Sequence, residues 1–103
     1  MSREFTTAAV VGLGTMGAGV AEVLARNGLT VVGIEISQGA LDKGEARIRA
    51  SVDRAVSREK LTAEDAAAVL GRISYSLELE AAADAGLVVE AVPERLALKK
   101  DEL

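Results

Sequence analysis

Short apolar runs alternate along the chain with stretches whose apolar residues fall at helical spacing. Ala8–Val11 is an apolar run that ends at glycine, which predicts a buried strand. From Thr15 the spacing changes. Met16, Val20, Val23 and Leu24 recur at helical intervals until Asn27-Gly28, a good helix stop. LTVVGIE, residues 29–35, predicts a second, β-branched strand. A long helix is expected over Gln38–Ser57, with Leu41, Ile48, Val52 and Ala55 on one face. Thr62 with Asp65 opens a short Ala-rich helix reaching Leu70. RISYS (72–76) predicts a third strand, the Ala-rich stretch 80–85 a short crossover, and LVVEAV (87–92) a fourth, buried strand stopped by Pro93. A further helix is expected from near Glu94 to Leu103.

Strands separated by helices give right-handed βαβ units and a parallel sheet. The fold class is α/β: a Rossmann-type parallel sheet of the first four or so strands, with helices on both faces and a long helical insertion after strand two. A complete six-stranded, doubly wound domain needs more chain than 103 residues, so 1–103 reads as the N-terminal portion of one.

Composition narrows the chemistry. Half the residues are apolar, and Phe5 and Tyr75 are the only aromatics, so Val, Leu, Ile and Ala must build the core. The net charge of −4 argues against a general nucleic-acid or anionic-membrane surface. No apolar run approaches the ~20 residues of a membrane span. The absence of cysteine excludes disulfides and a thiol nucleophile, and points to the cytoplasm. With no histidine either, a zinc site or a histidine base is excluded within these residues, and no metal is expected.

Gly12-Leu13-Gly14-Thr15-Met16-Gly17 lies between the first strand and the first helix, the setting that a dinucleotide-binding turn requires. Gly12 permits the turn, Gly14 lets backbone approach a pyrophosphate, and Gly17 lets helix pack on strand. The helix's first amides and its dipole then face phosphate. Glu35 ends the second strand 18 residues after Gly17, where an acid accepts hydrogen bonds from the adenosine ribose. A carboxylate there repels a 2′-phosphate, and neither Ile36 nor Ser37 replaces it with an arginine, so NAD is favoured over NADP. Gly12, Glu35 and the Val92-Pro93-Glu94 segment all follow strand ends and share one rim. Glu90 is read as satisfying local backbone donors rather than touching cofactor.

VVGLGTMGAGVAEVLARNGLTVVGIEIS, the long helix, LTAEDAAAVLGRISYSLEL and ADAGLVVEAVPERLALKK resemble the N-terminal domain of L-3-hydroxyacyl-CoA dehydrogenases, over nearly all of residues 7–103. The resemblance implies an oxidoreductase that uses NAD to convert an L-3-hydroxyacyl-CoA into a 3-oxoacyl-CoA in fatty-acid metabolism. It implies that Gly12–Gly17 holds the pyrophosphate, Glu35 the ribose, and that Glu94 and Lys99 lie near the nicotinamide half. It places Ser51 and Arg58 where the family contacts coenzyme A. It also implies catalytic residues and a helical, dimer-forming C-terminal domain outside these 103 residues, so this chain alone is expected to be inactive. No catalytic residue is assigned within it.

Two other readings stand beside this one. The β-hydroxyacid dehydrogenases share the Gly-Leu-Gly-x-Met-Gly pattern but run quickly from second strand to third, whereas residues 37–72 intervene here. A dinucleotide-binding module without chemistry is the other. The substrate signal lies in the long helix. Residues 42–60 carry net charge +2 and the remainder −6. At ~100° per residue, Arg47, Ser51, Arg54 and Arg58 fall within about 60° of one another, a strip whose guanidinium forks suit the phosphates of coenzyme A. As a bare charge run the same strip would be a solvated face paired with Glu45, Asp53 and Glu59.

Overall fold

The computed structural model describes residues 6–92 and 95–100. Strand β1 (Thr7–Val11) leads into helix α1 (Thr15–Arg26), then β2 (Thr30–Ile34), α2 (Gln38–Ser57), α3 (Ala63–Gly71) and β3 (Ile73–Ser76). A single 3-10 turn (Leu79–Ala82) crosses to β4 (Leu87–Val92), and β5 (Arg95–Lys100) follows. The sheet order is β3-β2-β1-β4-β5, with the first four strands parallel. This is the Rossmann-type arrangement expected, including the long helix after the second strand. The chain reverses its direction of travel across the sheet between β3 and β4, which leaves a crevice at the carboxyl ends of β1 and β4.

Strand alternation divides the core in two. Ala8 and Val10 of β1, Val31 of β2, Ile73 of β3 and Val89 of β4 face the three α-helices, where Ala18, Ala21, Ile48, Val52 and Val69 meet them. The opposite face joins Ala9, Ile34 and Ala85, with Val11, Val32, Val88 and Ala82 packed around them, beneath the 3-10 turn. Small alanines on α1 let it lie close to the sheet. The buried residues of α2 are Leu41, Gly44, Ile48, Val52 and Ala55, the apolar face read from its spacing together with one glycine.

That glycine has a reason. Leu13, in the turn between β1 and α1, is fully buried, and its side chain lodges between β2 and α2. A Cβ on Gly33 of β2 would lie 2.8 Å from Leu13 Cδ1, and one on Gly44 of α2 would collide with Leu13 Cβ. Two glycines on separate elements thus form the slot for one leucine.

Residues 95–100 form a strand, correcting the helix expected from near Glu94. Arg95 pairs opposite Val92 and Lys100 opposite Leu87, antiparallel to β4. Leu96 and Leu98 alternate with Arg95, Ala97 and Lys99, so the segment fits a period of two as well as a helical one. What decides is the edge of β4, whose backbone groups need partners on the side away from β1.

The slot predicts coupled stabilities. Leu13→Ala should lower the unfolding free energy by about 3 kcal/mol in urea titration, through lost burial and the cavity left behind. Gly33→Ala should be destabilising in the wild-type background and better tolerated beside Leu13→Ala, where its new methyl meets a vacated space. Additive losses in the double variant would show that the slot does not exist.

Candidate functional site

Each glycine of the turn has its own structural role. Gly12 adopts φ +95°, a conformation that L side chains rarely take, and a Cβ there would overlap the Ala91 carbonyl of β4. A Cβ on Gly17 would overlap the Gly12 carbonyl, so the helix can sit this close only without one. Gly14 differs from both. It has φ −66°, and a Cβ there would meet nothing within 4 Å. Folding does not demand a glycine at this position, and the space beside it is open.

The start of α1 also differs from those of the other two α-helices. Ser37 Oγ caps α2 by accepting from Ala40 N at 3.2 Å, and Thr62 Oγ1 caps α3 by accepting from Asp65 N at 3.0 Å. Helix α1 has Gly14 as its N-cap, with no side-chain cap and no acid in its first turn. Its first helical bond runs from Ala18 N to the Gly14 carbonyl at 2.8 Å. The amides ahead of Ala18 therefore lack intrahelical acceptors, and the positive end of the dipole is uncompensated. Such an end takes an anion.

These amides open on a cleft of about 880 Å³. Val11, Gly12 and Ala91 form its floor, Gly14, Thr15, Met16 and Gly17 one wall, Ile34, Glu35 and Ile36 the other, and Leu77 and Leu79 its far end. Ile36 is 96% exposed and Leu79 65%, an apolar surface suited to a flat ring. Glu35 Oε2 accepts from Leu13 N at 2.6 Å and Oε1 from Ile36 N at 3.2 Å. One bond on each carboxylate oxygen leaves further lone pairs on both, enough for a pair of vicinal hydroxyls. The residues present fit a dinucleotide: donors for phosphate, acceptors for ribose, an apolar end for a base.

A second pocket of about 320 Å³ lies between α1 and α2, lined by Thr15, Ala18, Gly19, Glu22, Arg47, Ala50, Ser51 and Arg54. Three of the four residues of the arginine-serine strip meet there. Arg58, the C-cap of α2, does not line it. The ion pairs among the described residues are Glu22–Arg26 at 2.6 Å and Glu45–Arg49 at 3.0 Å, and neither uses the strip. Arg47 Nη1 instead donates to the Leu13 carbonyl at 3.1 Å.

The other expected residues are distributed differently. Leu13 contributes its backbone to the turn, but its side chain is core, not cleft. Glu94 lies outside the described residues. Lys99 pairs on β5 opposite Val88, four residues before the rim residue Val92, so the backbone sits about 13 Å below the rim. Its place near the nicotinamide half is an expectation of the family resemblance alone. Glu90 is engaged by interactions within the protein and does not line the cleft. Tyr75, away from both cavities, has its phenol raised above the ordinary 10.0 by burial and by Glu45, against an opposing pull from Arg49. Ile36, Leu77 and Leu79 were not singled out from the sequence, although all three follow strand ends on the same rim. No group of potential metal ligands occurs among the described residues.

Residues 7–103 match the family model described as 3-hydroxyacyl-CoA dehydrogenase, NAD binding domain. The chain is 46% identical over 100 residues to the 3-hydroxyadipyl-CoA dehydrogenase of Escherichia coli, an alignment covering 97% of this chain and 21% of that protein. Among solved structures, FadB2 of M. tuberculosis aligns with TM-score 0.87 and 38% identity, covering 90% of this chain and 33% of the other. The (S)-3-hydroxybutyryl-CoA dehydrogenase of Ralstonia eutropha aligns with TM-score 0.83 and 41% identity, covering 88% and 32%. The chain thus spans a fifth to a third of the length of these relatives.

The glycines make opposite predictions for stability. Gly14→Asp supplies the missing cap and a carboxylate at the positive end of α1, and should raise the unfolding free energy by about 0.5 kcal/mol. Gly17→Ala should lower it by 2 kcal/mol or so, because backbone rather than a flexible side chain blocks the methyl. Urea titration of the two variants checks both signs.

Proposed function

The chain belongs to the family of the 3-hydroxyacyl-CoA dehydrogenase NAD-binding domain, and we propose that its cleft holds NAD as the cofactor half of an L-3-hydroxyacyl-CoA dehydrogenase. The observation that carries this is the uncapped start of α1, opening beside Gly14 into a cleft whose opposite wall presents the Glu35 carboxylate. The pyrophosphate lies against the amides of the first turn, the adenosine ribose on Glu35, and the adenine against Ile36, Leu77 and Leu79. When bound, NAD supplies the hydride acceptor for oxidation of the substrate's 3-hydroxyl to a ketone. Residues 1–103 hold no histidine, so the base that removes the hydroxyl proton belongs in this reading to another part of the protein. No hydride transfer is expected from these residues alone.

The pocket between α1 and α2 supports coenzyme A as the substrate handle. Arg47, Ser51 and Arg54 line it and Arg58 follows one turn on, guanidinium and hydroxyl donors suited to a phosphate-rich nucleotide, while the Glu22 carboxylate in the same lining is paired with Arg26. The conversion of a 3-hydroxyacyl-CoA to its 3-oxo form in acyl-CoA metabolism is the activity that joins the two cavities. No helix among the described residues is long and apolar enough to cross a membrane, in keeping with a cytoplasmic enzyme. Its homodimerisation, through a helical domain of the kind the family resemblance implies, is part of the same reading.

Calorimetric titration with NADH and NADPH tests the cofactor site. NADH should bind at least tenfold more tightly, and Gly14→Asp should lose that binding while staying folded. Equal affinities for the two cofactors would refute the assignment of Glu35. For the second pocket, Arg54→Glu should weaken binding of adenosine 3′,5′-bisphosphate by more than about tenfold, since it replaces a charged hydrogen bond with repulsion. Arg58→Glu, beyond the lining, should do less. Unchanged affinity in both would make the strip a solvated face.

A further inference from the structure

Leu13 is held from both sides of its backbone. Its N–H donates to Glu35, and its carbonyl accepts from Arg47 Nη1 at 3.1 Å. The Leu13–Gly14 peptide is trans and planar, so the Gly14 N–H points the opposite way from that carbonyl, away from α2. Gly14 lines the large cleft, whereas Arg47 lines the smaller pocket. Arg47 thus stands in one cavity and orients a peptide that borders the other. Thr15 lines both cavities, so they adjoin at the first residue of α1.

A guanidinium carries five N–H donors in a rigid planar fork. One is engaged by the Leu13 carbonyl, and the others remain for an anion in the pocket that Arg47 shares with Ser51 and Arg54. An anion seated there would hold the exposed Arg47 side chain in the rotamer that also holds the turn. Whichever ligand binds first then meets the entropy of ordering Arg47, and the second does not.

We infer that Arg47 is a positioning residue for the dinucleotide turn and that it makes binding in the two cavities mutually reinforcing, which rests on the reading of the smaller pocket as an anion site. Arginine is required because one planar group must serve a carbonyl and an anion together. A lysine ammonium can reach one or the other, but lacks the fork.

The test is titration of NADH into the 103-residue chain, alone and saturated with adenosine 3′,5′-bisphosphate, for wild type, Arg47→Met and Arg47→Lys. In wild type the bisphosphate should tighten NADH about fivefold or more, and NADH should tighten the bisphosphate by the same factor. Arg47→Met should weaken NADH about tenfold with no bisphosphate present and abolish the tightening. Arg47→Lys should recover much of the NADH affinity without restoring the tightening, a split that a merely structural side chain would not produce. Equal NADH affinity in wild type and Arg47→Met overturns the positioning role, and tightening that survives Arg47→Met overturns the coupling. Failure of the bisphosphate to bind wild type refutes the anion pocket and the coupling with it, while the NADH affinity of Arg47→Met still decides the positioning role. Should Arg47→Met not fold, tightening of wild-type size in Arg47→Lys overturns the inference by itself.

Discussion

The geometry of the cleft depends on how Leu13 is fixed. Its side chain is fully buried in the slot between Gly33 and Gly44, its N–H is bonded to Glu35, and its carbonyl to Arg47. Burying a leucine contributes roughly 1.5–3 kcal/mol, and a hydrogen bond to a charged group about as much. A turn with glycine on both sides of one leucine has large conformational entropy to lose, and without such an anchor it would sample many shapes. Leu13 converts it into one shape. The same residue ties together β2, α1 and α2, so the walls of both cavities are referred to a single fixed point.

Against that rigid anchor, the start of α1 is left unfinished. The protein can cap helices with side chains, as Ser37 and Thr62 show, yet at α1 it places glycine and no acid. A glycine cap without an acid forgoes about 0.5 kcal/mol of helix stability. A position where a stabilising residue is sterically available and absent is where function overrides local stability. Gly12 and Gly17 are demanded by the fold, whereas Gly14 is not.

Much of this was legible in the sequence. The extent of α2 follows from the apolar stripe of Leu41, Ile48, Val52 and Ala55, about four turns long, and the four parallel strands follow from apolar runs bounded by glycine, turn residues or Pro93. The turn role of Gly12, the packing role of Gly17 and the rim position of Glu35 follow from the strand-turn-helix setting. Three features were not legible. Arg95–Lys100 satisfies a period of two and a helical period alike, and the free edge that decides between them belongs to a different strand. Leu13 occupies a variable position of the glycine pattern, and only the distant Gly33 and Gly44 hint that its side chain turns inward. The bond from Arg47 to Leu13 spans 34 residues, and a charged residue on an exposed helical strip carries no local mark of it.

Gly44 links the packing of α2 to its charge. There α2 lies close enough to the turn that a Cβ would collide with Leu13. Arg47 stands three residues on, one turn of helix further along, on a neighbouring stripe. A larger residue at 44 would push the helix off the Leu13 side chain and displace Arg47 with it. Because Ser37 begins α2 only two residues after Glu35, the same helix also sets where the carboxylate lies. A displacement of α2 would move the Glu35 carboxylate, the clamp on the turn and the arginine strip together. That shared dependence is the physical basis on which the two proposed sites would be coupled.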